Sequence, residues 1–175
     1  MMADPTKPGP WIARGFNFDF PVEEHPALLR RMLATADRLE LATAGLEPAH
    51  LRRRWEGKWS IQEHAGHLFD LEALWFARLE DFLGGRSTLT PADLANTATE
   101  YADHNSGRLD DILDDFYMAR MALVQHIETL EPRDFQRAAR HPRLRTRMRM
   151  VDWMYFVAEH DDHHLALIAD LAARV

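Results

Sequence analysis

Four stretches of this chain repeat apolar residues at helical spacing, and no apolar–polar alternation of period two competes with them. That pattern commits the chain to helices packed on helices, because an amphipathic helix must bury its stripe against another element. The first stretch opens at Pro26, whose missing N–H costs nothing in a first helical turn. It carries Leu28, Leu29, Met32, Leu33, Ala36 and Leu39 up to Gly45. Pro48 starts a short helical turn through Arg54. The second long helix begins at Ser60, where Ser60 and Glu63 read as a capping box, and Gly84-Gly85 stop it. The third runs from Gly107 to Leu130 and ends before Pro132; the last runs from near Thr146 to Ala173. The reading is an all-α four-helix bundle. Residues 86–106 form its long crossover connection, with a short helix expected after Thr90-Pro91, and a connection of that length crosses a bundle or covers a site.

A chain of 175 residues fits one domain. Residues 25–175 are read as the bundle. Residues 1–24 are read as an arm that packs on it through Trp11, Phe16, Phe18 and Phe20. Twenty-one basic against 28 acidic residues leave a net charge of −7, which argues against nucleic acid as a partner. There is no cysteine, hence no disulfide and no thiolate ligand or nucleophile. No signal-peptide core and no membrane span is read, so the expectation is a cytoplasmic protein acting on a small molecule, without membrane contact. The arginine-rich segment 133–149 reads as a solvated connection. Asp110, Asp111, Asp114 and Asp115 could meet it across a homodimer interface.

The chemistry concentrates in the last helix. His160 and His164 are four residues apart, one above the other on the same face, in line with Trp153, Leu167 and Leu171. Two imidazoles so placed can share one metal ion. His163 flanks the pair and is a candidate substrate contact. The second helix offers His64 and His67 as a third ligand. Periodicity leans to His64, nearer the centre of the apolar stripe; His67 lies at its edge with Leu71, Leu74 and Arg78, and spacing alone does not choose between them. His25, His50, His104, His126 and His141 read as exposed or structural.

Two segments carry a resemblance: Lys58-Trp59-Ser60-Ile61-Gln62-Glu63-His64-Ala65-Gly66-His67-Leu68, and Ala158-Glu159-His160-Asp161-Asp162-His163-His164-Leu165. Together they resemble the two signature segments of the DinB-like superfamily, a four-helix bundle with a long crossover and a divalent metal held by three histidines. The resemblance implies His67, His160 and His164 as the ligands, preferring His67 over His64. It also implies thiol S-transferase chemistry as one activity, with a low-molecular-weight thiol as co-substrate.

Three neutral ligands leave metal positions for water or substrate, the pattern of a catalytic site for Zn, Ni or Fe. Carboxylates that orient the imidazoles are expected nearby, and Glu159, Asp161 and Asp70 are the candidates, with Glu63 taken by its cap. A solvated helix edge is the plain reading of Glu159 and Asp161. Arg120 falls mid-stripe in the third helix. It needs either an ion pair with a neighbouring helix or the carboxylate of a substrate. Alternatives to a transferase are a metal-dependent hydrolase and a non-catalytic metal-binding or stress-response protein.

Overall fold

The computed structural model describes residues 9–174; the first eight residues of the expected arm and Val175 lie outside the described residues. Helices α1 (His25–Thr43), α3 (Ile61–Asp70) with α4 (Glu72–Leu83), α6 (Leu109–Glu128) and α7 (Met150–Ala172) form the bundle. Two short helices accompany them, α2 (Pro48–Leu51) and α5 (Thr97–Ala102). Helix α1 packs on α7 and α6, and α3–α4 pack on α6 and α7. Chain neighbours α1 and α3 therefore stand at opposite corners, as do α6 and α7. The connections that cross the bundle diagonal are thus 44–60 and 129–149, while the longer connection before α6 joins adjacent helices. Among the described residues no helix is long and apolar enough to cross a membrane.

The expected capping box is present: the Ser60 amide donates to Glu63 at 2.8 Å and the Glu63 amide to Ser60 Oγ at 3.2 Å. Arg54 also holds the Glu63 carboxylate, at 2.9 Å from Nε. The second helix is not continuous, because Leu71 separates α3 from α4. The break is slight, since the Leu71 amide still reaches His67 O at 3.2 Å and the Trp75 amide Leu71 O at 2.9 Å.

The arginine-rich segment departs from the expectation of a plain connection. Ala138–Arg140 (β1) and Arg147–Arg149 (β2) pair antiparallel, and α7 starts at Met150 rather than Thr146. Strands of three residues each are too short for a period-two signal to register in the sequence. Three of the segment's arginines bond within the chain: Arg137 to Asp134 at 2.8 Å, Arg143 to the Ile12 carbonyl at 2.8 Å, and Arg149 to Asp152 at 2.6 Å and to the Phe18 and Phe20 carbonyls at 3.1 and 2.9 Å. Phe18 and Phe20 in turn lie against Tyr155, and Trp11 against Phe156 at 5.1 Å.

The core falls into two apolar clusters. Leu28, Met32, Trp75, Leu79, Leu123, Ile127, Trp153 and Val157 lie in one, and Leu39, Ile61, Leu68, Ile112, Phe116, Leu165 and Ile168 in the other. Each large side chain so buried contributes about 1.5–3 kcal/mol. Every bundle helix passes from one cluster to the other at a polar residue: Thr35 in α1, Glu72 in α4, Arg120 in α6 and Asp161 in α7. These four bond to each other. Arg120 donates to Glu72 and Asp161, each at 2.6 Å, and to the Met32 carbonyl at 2.8 Å, and Thr35 donates to Asp161 at 2.9 Å. The reading of Asp161 as a solvated edge is thereby corrected; it is buried to complete this pair.

Candidate metal centre

The polar layer also carries the histidines. His67, His160 and His164 each bring a ring nitrogen to within 4.8 Å of the others, and all three are buried. Helix α3 supplies the first and α7 the other two, one turn apart, as their i, i+4 spacing dictates. His64 lies behind this cluster. Its Nδ1 is 3.0 Å from Nδ1 of His164. A single proton serves that contact; placed on His164, it leaves Nε2 of His164 with its lone pair free.

His67 is oriented from the other side. The Thr99 hydroxyl gives its one proton to Asp70 at 2.7 Å, so its oxygen must accept from Nδ1 of His67 at 2.9 Å. Nε2 of His67 is then unprotonated. His104 Nε2 donates to the same Asp70 oxygen at 2.9 Å. Burial draws the Asp70 carboxyl upward, but the hydrogen bonds from His104 and Thr99 outweigh it and its pKa falls below the ordinary value. Gly66 makes room for this arrangement: a Cβ there would stand 2.3 Å from the His104 ring. That is why a glycine precedes His67.

Burial pushes the His67 ring down to about 4, with Asp70 opposing and His104 and His163 assisting. His160 and His164 are driven well below the ordinary value by burial and by neighbouring histidines. All three are therefore neutral at pH 7, the state a metal requires. Nδ1 of His160 is buried with no hydrogen-bond partner among the described residues. A buried polar atom left over in a ring beside two free nitrogens fits a divalent cation of the kind imidazole prefers.

The cluster lines a cavity of about 520 Å³. Beside the histidines its wall is apolar, from Trp59, Leu71, Leu74, Trp75 and Phe156, with Trp11 of the arm closing one side. His163 also lines it, with its ring 5.7 Å from Trp11.

Other expectations meet different partners. Glu159 binds Arg14 and, at 2.7 Å, Arg31, and Asp161 binds Arg120 and Thr35, so neither orients an imidazole. Of the three carboxylates only Asp70 does so, through Thr99. Arg120 has the ion-pair partners expected of a buried guanidinium: it is 1% exposed, is not among the residues that line this cavity, and donates to Glu72, Asp161 and the Met32 carbonyl. Its place in the stripe signalled burial, and burial here means an internal pair. His104 and His141, read from the sequence as exposed or structural, are buried beside the site. Their signal was absent because both sit on connections with no period to read.

A model of the DinB superfamily matches residues 31–168. Among solved structures, YfiT from Bacillus subtilis, described as a probable metal-dependent hydrolase with an unusual four-helix bundle topology, is similar to this chain with a TM-score of 0.80 at 18% identity, over 92% of this chain and 93% of that one. At that identity the likeness shows the fold. A search of curated proteins finds no match. With the family model spanning residues 31–168, the chain belongs to the DinB superfamily.

Proposed function

We propose that this protein is a divalent-metal enzyme acting on a small molecule, its metal (Zn, Ni or Fe) held by His67, His160 and His164. The observation that carries the reading is that three neutral, buried imidazoles converge on the wall of a 520 Å³ apolar cavity. A space of that size beside the ligands weighs against a purely metal-holding role. When bound, such an ion supplies Lewis acidity and makes a nucleophile easier to deprotonate.

The chain's own groups do the rest. Thr99 and Asp70 hold His67 in one tautomer, and His64 backs His164. Trp59, Trp75 and Phe156 exclude water and face the apolar part of a substrate.

Transfer of a low-molecular-weight thiol to an electrophile is the first reading. The chain has no sulfur nucleophile of its own. Asp93 is the one carboxylate among the described lining residues, and its oxygens accept the Ala95 and Thr97 amides at 2.9 and 2.6 Å. A thiol, with a pKa of about 8.5, needs less help from a protein base than water does. Hydrolysis is the second reading, favoured by the description of YfiT.

Elemental analysis of protein purified without a metal-affinity tag tests the metal, with His160→Ala beside it. Metal-free wild type, or unchanged metal in the variant, removes the site. Turnover of a chloronitrobenzene that depends on added thiol supports transfer; turnover of nitrophenyl esters without thiol moves the assignment to hydrolysis.

A further inference from the structure

The cavity has a second pole, and it is cationic. Arg78 of α4 and Arg143 of the hairpin loop both line it. Arg78 is 1% exposed; its Nε donates to the Thr90 carbonyl at 2.9 Å. Arg143 donates from Nη1 to the Ile12 carbonyl at 2.8 Å, and its Nη2 is buried with no partner among the described residues. Nε1 of Trp75, another lining residue, is likewise buried and unpartnered among the described residues.

No carboxylate among the described residues forms an ion pair with either guanidinium. Asp81, the acid whose charge acts on Arg78, is held by Arg86 and by the Thr90 amide at 2.5 Å. Asp93 spends its oxygens on backbone amides. His141 sharpens the imbalance. Its Nδ1 accepts the Leu144 amide at 3.1 Å, so in the neutral ring Nε2 carries the proton, and that nitrogen lies 3.4 Å from Nη1 of Arg78. Donor meets donor there. The ring is neutral, because burial and the charges of Arg78 and Arg143 push it down to about 3. Buried charges and donors are costly unless an acceptor completes them.

We propose that Arg78 and Arg143, with His141 Nε2 and Trp75 Nε1, form an anion subsite that takes the carboxylate of an apolar small molecule whose reacting group lies at the three histidines. The Trp75 ring links the two poles: it is 5.7 Å from the His160 ring and 5.5 Å from the Arg78 guanidinium. A small organic acid therefore reaches both. A guanidinium pair suits a carboxylate because its donors match the planar anion. The proposal rests on the reading of this cavity as the substrate site.

The test is a tryptophan-fluorescence titration of the metal-loaded protein with phenylacetate against phenylacetamide, and with mercaptopropionate against mercaptopropionamide. In at least one pair the acid binds about tenfold more tightly than its amide, the effect of one charge-assisted contact. A preference confined to phenylacetate assigns the carboxylate to the electrophile, and one confined to mercaptopropionate assigns it to the thiol. Arg143→Gln abolishes the preference, while Arg147→Gln, an exposed control of equal charge change, keeps it. Arg78→Gln is the less clean variant, since its side chain is buried. Acids no better than amides, or an unchanged preference in Arg143→Gln, overturn the subsite. Repeating the titration after chelation separates the two readings: a preference that survives without metal belongs to the arginines, and one that vanishes with the metal while Arg143→Gln retains it belongs to the ion and overturns the proposal.

Discussion

Nδ1 of His67 lies 2.9 Å from the hydroxyl oxygen of Thr99, a residue of the short helix α5 outside the bundle. Because that hydroxyl is committed to Asp70 at 2.7 Å, the contact decides which nitrogen of His67 is free. The connection before α6 thus reaches back to set the protonation of a bundle histidine.

Thr99→Val keeps the shape and removes the hydroxyl. Metal affinity is expected to fall about 10–100-fold, the usual effect of losing an outer-shell partner, with helicity unchanged. Thr99→Ser restores most of it. Competition with a chromogenic chelator measures both; equal affinity in Thr99→Val and wild type would show that His67 needs no such support.

His67→Ala removes a ligand nitrogen, and His64→Ala removes only the ring behind His164. Stoichiometric metal is expected to be lost in the first and kept, with weakened affinity, in the second. Metal retained by His67→Ala and lost from His64→Ala would exchange the roles of the two residues.

The choice between those two shows what sequence carries. Periodicity placed His64 near the centre of the stripe and His67 at its edge with Leu71, Leu74 and Arg78. All four of those edge residues line the cavity, so the edge of the stripe was the cleft wall. The bundle, the capping box and the His160–His164 spacing were legible because each is local and periodic. Thr99, His104, His141 and Arg143 were not legible as site residues. They lie on connections, where only the tertiary path decides which helix they meet. Arg120 was visible as an anomaly, but its partners Glu72 and Asp161 come from two other helices and no one-dimensional pattern pairs them.

Gly66→Ala sets a methyl 2.3 Å from the His104 ring, which must move. Overpacking of this kind costs about 1–3 kcal/mol. Moving His104 also disturbs Asp70 and hence Thr99, so metal affinity falls as well. The double variant Gly66→Ala with His104→Ala removes the clash. Urea unfolding of Gly66→Ala, His104→Ala and the double variant should give a clear coupling energy between the positions; additive losses would mean the glycine serves another purpose.

Arg120→Met strands Glu72 and Asp161 in the core, where Arg120 is 1% exposed. Breaking a buried pair from one side costs about 3–5 kcal/mol. Adding Glu72→Met and Asp161→Leu removes the stranded charges, and the triple variant is expected to recover most of the stability. Chemical denaturation checks both steps. A triple variant no more stable than Arg120→Met alone would mean that the polar layer is needed for packing rather than for charge balance.

The metal-free protein should lose stability in acid over a window set by its buried histidines. Burial, then Arg78 and Arg143, hold the His141 ring down at about 3. In the unfolded chain a histidine takes its proton near pH 6.5. Between those values the unfolded state binds more protons than the folded one, so stability falls as pH drops through the window and is insensitive to this group above it. His64, lowered to about 4 mainly by burial, and His67, lowered to about 4 in the same way, act in the same direction. His141→Gln replaces a titrating ring with a neutral amide that can still accept the Leu144 N–H. Urea unfolding across about pH 7.5 to 4.5 should give a stability slope shallower by up to one proton in that variant. Parallel curves for the two proteins would mean that His141 does not enter the folded state neutral.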